Sequence, residues 1–180
     1  AIWAAADTVL SHPYLTIKGI SGNGAKLYQG HVIVPVRDTS GTLTSLQYIS
    51  GNGFKRFHTG GKLSGCYFPL GSIRERLFIC EGFATGATIH ESTGDAVAIA
   101  FNAGNLLAVA SEIRAKYPAL PITVAADNDH EKDNNVGMVK ALSAAQAVNA
   151  QIIWPPPING VSDFNDYAKH LRQPSSEGPA

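Results

Sequence analysis

The sequence contains few of the residues that build disulfide-linked or cysteine-metal scaffolds. Its 180 residues include two cysteines, Cys66 and Cys80, and their separation fits no metal-ligand motif. Cys80 lies inside a short apolar run, where a buried free thiol is expected. We therefore expect a protein of a reducing compartment, the cytoplasm.

Long apolar runs are also lacking. No segment is long and apolar enough to cross a bilayer, and the first residues do not have the pattern of a signal peptide. A membrane protein is therefore not expected. The chain starts at Ala1 without a methionine, which favours a fragment of a longer protein.

A net charge is absent overall but not locally. Up to residue 76, eight basic residues face three acidic ones, and from residue 77 onward six basic residues face eleven acidic ones. A basic part joined to an acidic part indicates that one binds a polyanion and the other a metal ion. The alternative is an ordinary solvated surface.

The first 76 residues combine short apolar runs with turns rich in glycine. Two strands, His31–Arg37 and Thr42–Ile49, are predicted to form a hairpin. Ile2–Leu10 is predicted to be the end of a short helix that His12-Pro13 breaks, since the residue before a proline resists helical geometry. We predict a small basic α+β lobe over residues 1–76.

Basic and aromatic residues alternate in this lobe. Lys55, Arg56 and Lys62 are predicted to contact phosphates, as in proteins that hold single strands, while Phe54 and Phe57 are expected in the core. The alternative is that the cations only protect an edge strand. Gly60-Gly61-Lys62 does not form a P-loop, because the required flanking glycine and Ser/Thr are absent.

From residue 77 the pattern changes to strands that alternate with helices. The predicted strands are Leu77–Cys80, Ala96–Phe101, Ile122–Ala126 and Gln151–Trp154. The predicted helices are Ala84–Ser92, a helix ending at Tyr117, Asn134–Asn149 and Asp163–Leu171. This alternation predicts a parallel sheet flanked by helices over residues 77–172, followed by a disordered tail over residues 173–180. No G-x-G-x-x-G motif follows the first strand, which argues against dinucleotide binding.

Carboxylates follow two of the predicted strands. Glu81 follows the first, and Asp127 and Asp129 follow the third, on the same side of an extended segment. If the first and third strands are neighbours, Glu81 and Asp127 face each other at the edge where such sheets bind ligands. Asp163 is either a helix N-cap or a metal ligand, and Asp166 lies one turn further along. Mg²⁺ suits such a cluster.

Together these segments resemble the Toprim signature shared by DnaG-type primases, topoisomerases and some nucleases. The acidic motifs that carry the resemblance are Glu81-Gly82, Asp127-Asn128-Asp129 and Asp163 with Asp166. The first lobe resembles the basic N-terminal lobe of a primase core in Val34-Pro35-Val36-Arg37-Asp38, Lys55-Arg56-Phe57 and Gly61-Lys62-Leu63. The segment from His12 to Ile20 is similar to plasmid and phage primases of the conjugative type.

The resemblance implies template-directed synthesis of RNA primers from ribonucleoside triphosphates on single-stranded DNA. It implies that Mg²⁺ or Mn²⁺ binds Asp127, Asp129 and Asp163, with Asp166 helping to hold the cluster. Glu81 would act as general base or as a ligand of a second metal ion. Arg37, Lys55, Arg56 and Lys62 would guide the template or the nucleotide, and a replicative helicase or a relaxase is an expected partner.

Two other functions remain open at this point. One is a Toprim nuclease, which would use the same carboxylates to cut DNA. The other is a non-catalytic module that binds single strands without a metal requirement. A topoisomerase is less favoured, because no separate domain with a catalytic tyrosine is recognised in the sequence.

Overall fold

The first of two β-sheets is antiparallel and built from the first 57 residues. The computed structural model describes residues 1–131 and 134–173. The first sheet has the strand order β1-β2-β3-β4-β5. Its strands are β1 (Asp7–Thr8), β2 (Lys26–Tyr28), β3 (His31–Arg37), β4 (Leu43–Ile49) and β5 (Lys55–Phe57).

The second sheet is mainly parallel and has the order β10-β9-β7-β8-β6. Its strands are β6 (Phe68–Leu70), β7 (Leu77–Cys80), β8 (Ala96–Ile99), β9 (Ile122–Ala125) and β10 (Gln151–Ile153). Strand β6 precedes residue 77, yet it pairs antiparallel with β8 at the edge of this sheet. The two sheets also meet at a bridge between Arg37 and Tyr67.

Six α-helices complete the described part of the chain. They are α1 (Ile2–Ala5), α2 (Pro13–Lys18), α3 (Phe83–Thr93), α4 (Leu106–Lys116), α5 (Val136–Ala147) and α6 (Phe164–Arg172). The alternation of strand and helix from β7 onward confirms the predicted α/β fold. None of the described helices is long and apolar enough to span a membrane.

The central strands β7, β8 and β9 are buried along their whole length. Parallel strands covered by helices on both faces consist of continuous apolar runs, and the sequence has them here. Helix α3 packs closely on the sheet because Gly86 has no side chain. A Cβ atom at this position would lie 2.5 Å from Cγ1 of Ile99 and 3.1 Å from Sγ of Cys80.

The first sheet packs on the second through alternate residues of β3. Val32, Val34 and Val36 share one core cluster with residues of β7 and α3, whereas Ile33 points to the opposite face and packs with Tyr48. A fully buried valine or isoleucine contributes about 1.5–3 kcal/mol. This packing fixes which residues of each strand face the second sheet.

Several predictions for the first lobe are wrong in detail. The first helix ends at Ala5, and Pro13 begins a helix rather than ending one. Proline suits the first helical position because its missing N–H needs no partner there, and His12 caps the helix through Nδ1. Phe54, predicted in the core, is 66% exposed, because it lies in the turn that leads into β5.

Helix α5 exists as predicted, but of the five apolar residues at helical spacing that indicate it, only Ala145 and Val148 are buried. Val136, Val139 and Leu142 are exposed, whereas the buried side of the helix is lined by Gly137, Ala141, Ala144 and Ala145. Small residues let α5 approach α4 and β9 closely. The tail residues 174–180, predicted to be disordered, lie outside the described residues.

Candidate active site

Three acidic segments meet at the carboxyl edge of the second sheet. Strands β7 and β9 are parallel neighbours, with Cys80 opposite Ala125. Glu81 directly follows β7, and Asp127 follows β9 after one intervening residue. The condition stated from the sequence, that the strands before Glu81 and before Asp127 are neighbours, is therefore met, and it brings Glu81 and Asp127 to the same edge.

Asp127 lies where a negative charge is strongly disfavoured. Burial raises its pKa to about 8, and the negative charges of Glu81, Asp163 and Asp129 add to this rise, while Lys55 opposes it. Its Oδ1 atom is buried and accepts no hydrogen bond from any described residue. Without a bound cation, this carboxyl group is mostly protonated at neutral pH.

Glu81 belongs to the same electrostatic cluster. Burial raises its pKa, and the carboxylates of Asp129 and Asp163 raise it further. The backbone N–H of Ala103 and the ammonium of Lys55 act in the opposite direction. Burial and the negative charges of Asp127, Asp163 and Glu81 also raise the pKa of the neighbouring Cys80 thiol, so this thiol stays protonated.

Asp163 contributes to the helix and to the acidic cluster together. Its Oδ1 accepts a hydrogen bond of 2.8 Å from the backbone N–H of Asp166, so it caps helix α6 as expected. Its charge also raises the pKa values of Asp127 and Glu81. The two readings of Asp163 as a cap and as part of the acidic site are therefore compatible.

Asp166 points toward the first lobe. Its Oδ1 lies 4.0 Å from Nζ of Lys18, and its Oδ2 accepts a hydrogen bond of 3.2 Å from Ser162. Asn165, beside it, donates to the carbonyl oxygen of Lys18 and to Oγ1 of Thr88. These contacts with Lys18 hold the end of helix α2 against α6, at the edge of the acidic site.

Lys55 is the predicted basic residue that faces the acidic cluster. Lys55 lies opposite Ile49 of β4, and the side chain of Ile49 points into the core between the sheets. Residues that lie opposite each other share a face, so Lys55 is on the side of the second sheet. Desolvation of the ammonium group and the nearby Lys18 lower its pKa, while Asp163, Glu81 and Asp127 raise it, although the side chain keeps contact with solvent. Two lysines of the first lobe thus stand beside the carboxylates.

The other predicted basic residues point elsewhere. The guanidinium of Arg56 lies 4.3 Å from the ring centre of Tyr48 on the opposite face of the first sheet. The guanidinium of Arg37 lies 6.0 Å from the ring centre of Trp3 and donates to the carbonyl oxygen of Gly41. Lys62 is exposed, and its charge helps to lower the pKa of Asp38.

Asn128 holds the acidic turn in place, a role that sequence reasoning missed. Its buried amide donates to the carbonyl oxygen of Pro155, and its Oδ1 accepts a hydrogen bond of 2.8 Å from Asn135. Asn135 also caps α5 and accepts from the backbone N–H of Asp129. Asp133, another residue that can cap a helix and that precedes α5 in the sequence, lies outside the described residues.

Two further features shape this edge. Gly137, in the first turn of α5, would place a Cβ atom 3.3 Å from Cβ of Asp127, so glycine lets the helix begin against the acidic residue. Beside Asp129 lies a cavity of about 360 Å³, lined also by His130, Glu131 and residues 160–162. A larger cavity, of about 630 Å³ and partly lined by Arg114, lies at the opposite end of the sheet.

The donor chemistry of the acidic edge fits a hard divalent cation. Burial and neighbouring carboxylates raise the pKa values of Asp127 and Glu81, and one buried oxygen of Asp127 has no hydrogen-bond partner among the described residues; a cation relieves both conditions. Within residues 1–131 and 134–173, no three acidic, histidine or cysteine side chains are placed closely enough to hold a metal ion in their present rotamers. The side chains would therefore need to adjust their rotamers when a metal ion binds.

Comparison with known proteins agrees with this fold and this edge. A family model described as the Toprim domain matches residues 76–172. The chain belongs to the Toprim domain family, as the acidic motifs indicated.

Two curated proteins are similar to this chain in sequence. The chain is 38% identical over 160 residues to a DNA primase TraC of Escherichia coli, which covers 79% of this chain and 11% of that protein. A second DNA primase TraC of Escherichia coli is 36% identical over 155 residues, which covers 79% of this chain and 15% of that protein. The chain thus spans a small part of the length of these relatives.

Solved structures share the fold. The primase fragment of the bacteriophage T7 primase-helicase protein has a TM-score of 0.63 at 15% identity, covering 93% of this chain and 75% of that one. The DnaG primase catalytic domain bound to single-stranded DNA has a TM-score of 0.55 at 14% identity, covering 82% and 50%. At these identities the likeness concerns the fold.

Proposed function

We propose that this chain is the catalytic core of a primase, which synthesises RNA primers on single-stranded DNA by metal-dependent nucleotidyl transfer. The observation that carries the proposal is the acidic edge of a Toprim fold beside two lysines of a basic lobe. The identity to two proteins named DNA primase TraC supports the same reaction.

The Toprim primase fold generally uses a divalent metal ion. In this chain Asp127, Asp129 and Asp163 would hold Mg²⁺ or Mn²⁺, with Asp166 supporting Asp163 through the first turn of α6. A bound metal ion supplies charge neutralisation for the triphosphate and for the phosphoryl group in transfer. Binding requires Asp127 to lose the proton that its raised pKa retains.

Glu81 is the residue best suited to accept a proton at this edge. Its pKa is raised by burial and by neighbouring carboxylates, which brings a glutamate closer to the pH at which a general base is effective. We assign it to the 3′-hydroxyl of the growing primer, with ligation of a second metal ion as the other role it can take. Either role predicts loss of activity when glutamine replaces it.

Lys55 would bind the phosphates of the incoming ribonucleoside triphosphate. It is the predicted cation whose charge acts on Glu81, Asp127 and Asp163 together. A triphosphate placed there would restore the favourable environment of an ammonium whose pKa is now lowered. Lys62, Arg37 and Arg56 would contact the nucleic acid farther from the reacting groups.

The partners follow from the reaction. A single-stranded DNA template and ribonucleoside triphosphates are the substrates, and a replicative helicase or a relaxase would bring the protein to its template. We place this reaction in the cytoplasm.

Incorporation of radiolabelled ribonucleotides on mixed single-stranded templates tests the proposal. The chain with Mg²⁺ or Mn²⁺ is expected to make short RNA products, and Asp129→Ala is expected to reduce them by at least about 100-fold because the metal site loses a ligand. Asp95→Ala is the matched control, because Asp95 pairs with Arg76 away from the acidic edge.

Nicking of plasmid DNA under the same conditions distinguishes a Toprim nuclease, which would use the same carboxylates. Metal-dependent nicking without incorporation would replace primer synthesis by hydrolysis. Binding of single strands with neither activity, unchanged by metal ions or by Asp127→Asn, would instead identify a non-catalytic module.

A further inference from the structure

The face of the first sheet that points away from the second sheet is strongly basic. Side chains alternate along each strand, and the cross-strand pairs place Lys26 opposite Ile33, Ile33 opposite Tyr48, and Tyr48 opposite Arg56. Ile33 and Tyr48 belong to the core cluster of this side. We call this side, with Arg37 at its end, the outer face.

The cations of the outer face rest on aromatic rings and not on carboxylates. Nζ of Lys26 lies 5.0 Å from the ring centre of Trp3, and the guanidinium of Arg37 lies 6.0 Å from the same ring centre. Arg56 covers Tyr48 at 4.3 Å. In the part of the chain that the structure describes, the two ion pairs are elsewhere, at Lys18 and at Arg76.

Two histidines extend this basic surface. The hydroxyl group of Tyr48 lies 3.3 Å from Nδ1 of His58, and the ring of His31 meets the ring of Tyr48 edge-on. Asp7 and Asp38, the acidic residues within the first 57 residues that build this sheet, do not neutralise it. Asp7 pairs with Leu27, which places it on the other side of the sheet from Lys26, and Asp38 binds Ser40 and Thr42 in a turn.

This pattern fits an extended polyanion. Lys26 and Arg56 stand three strand spacings apart, about 14 Å, which exceeds the size of a single phosphate group. A guanidinium that lies over a ring and has no carboxylate partner keeps N–H groups available for a phosphate oxygen. Phe54, which precedes β5, exposes a ring on which a base can stack.

We infer that the outer face binds the phosphate backbone of single-stranded nucleic acid at a site separate from the acidic edge. Arg56 and Lys55 are consecutive in β5, so their side chains point to opposite faces of the sheet, one to the outer face and one to the carboxylates. The strand thus separates a nucleic-acid contact from the metal-binding edge. The inference extends the nucleic-acid contacts of Arg37 and Arg56 in the proposed function, and its test does not depend on catalysis.

Fluorescence anisotropy with a labelled oligothymidylate, in EDTA and without nucleotides, tests this site. Each phosphate contact on a single strand contributes about 0.7 to the slope of log Kd against log salt, which is about fivefold in Kd at about 0.1 M salt. Lys26→Gln with Arg56→Gln should lower the slope by about 1.4 and weaken binding about 25-fold. Arg56→Lys should keep the wild-type slope.

Lys140→Gln with Arg74→Gln is the matched control, because both residues are exposed and lie outside the first sheet. This control should retain the wild-type slope and affinity. Lys26 also donates to the carbonyl oxygen of Trp3, so thermal unfolding must show that the double variant is folded; Arg56→Gln alone should still cost about fivefold.

The inference would be overturned if the salt slope were unchanged both in the Lys26→Gln, Arg56→Gln double variant and in Arg56→Gln alone. It would also be overturned if the control variant lost as much affinity as the double variant. Equal competition by polyglutamate and by unlabelled oligothymidylate would also overturn it, because the surface would then bind acidic protein segments equally well. This experiment measures binding and not primer synthesis. A protein that fails to make primers can therefore still show this binding, and a protein that lacks this binding can still make primers.

Discussion

Replacing Asp127 by asparagine should stabilise the metal-free protein. The pKa of Asp127 rises from 3.8 to about 8 on folding, so the folded state resists the negative charge that the unfolded chain carries freely. Below about pH 4 both states hold the proton and the group has no effect. Between pH 4 and 8 the unfolded chain loses the proton first, so the stability of the folded state falls as pH rises.

The size of this effect follows from the pKa difference. Each pKa unit corresponds to about 1.4 kcal/mol, so the interval from 3.8 to pH 7 sets an upper limit of about 4 kcal/mol. Rearrangement of the side chain and entry of water reduce this penalty. We expect Asp127→Asn to gain about 1–2 kcal/mol at pH 7 in EDTA, which raises Tm by about 2–8 °C.

Calorimetric unfolding in EDTA at several pH values checks the prediction, with Asp95→Asn as the control that loses an ion pair with Arg76. Addition of Mg²⁺ or Mn²⁺ should then stabilise the wild type and not the Asp127 variant, so that the order of the two Tm values reverses. An Asp127 variant that is no more stable than the wild type between pH 7 and 9, or that responds equally to metal ions, would refute the reasoning.

Four other substitutions test other parts of the account. Lys55→Met should leave primer synthesis at saturating nucleotide partly intact but raise the nucleotide KM at least about tenfold, because a phosphate contact is lost; steady-state kinetics would show this. Tyr14→Phe removes a buried hydroxyl group whose interaction with the backbone of Ala84 falls short of a well-formed hydrogen bond, so chemical denaturation should show a change in stability of no more than about 1 kcal/mol. Gly86→Ala should lower Tm, with a cost of about 1–3 kcal/mol, because the new methyl group meets Ile99. Asn128→Ala should weaken Mn²⁺ binding as well as stability, since the acidic turn loses two side-chain hydrogen bonds.

The sequence predicted the second sheet well because its signals are local. Short apolar runs bounded by turn residues, such as Leu77–Cys80 and Ile122–Ala125, are typical of buried strands, and Gly94 and Asp163 mark helix ends through their own backbone or side chain. The acidic edge also followed from local order, because parallel strands bring their carboxyl ends together. The Toprim resemblance rested on these segments and is confirmed.

The side of a strand or helix to which each side chain points could not be predicted from the sequence as well as the strands themselves. The basic residues Lys55 and Arg56 are adjacent and looked equivalent, yet the pairing of β5 with β4 sends one to each side of the sheet. In α5, three apolar residues at helical spacing point outward, because the close contact with neighbouring elements selected the side with small residues. Such choices depend on the neighbouring element, which sequence spacing does not encode.

Direct measurement of Mn²⁺ binding tests the central claim that acids from separate segments form one cation site. Titration followed by electron paramagnetic resonance should show Mn²⁺ bound by the wild type, with an affinity that falls at least about tenfold in Asp127→Asn and in Glu81→Gln but not in Asp95→Asn. Absence of Mn²⁺ binding by the folded wild type, or binding that all three variants retain, would contradict the account.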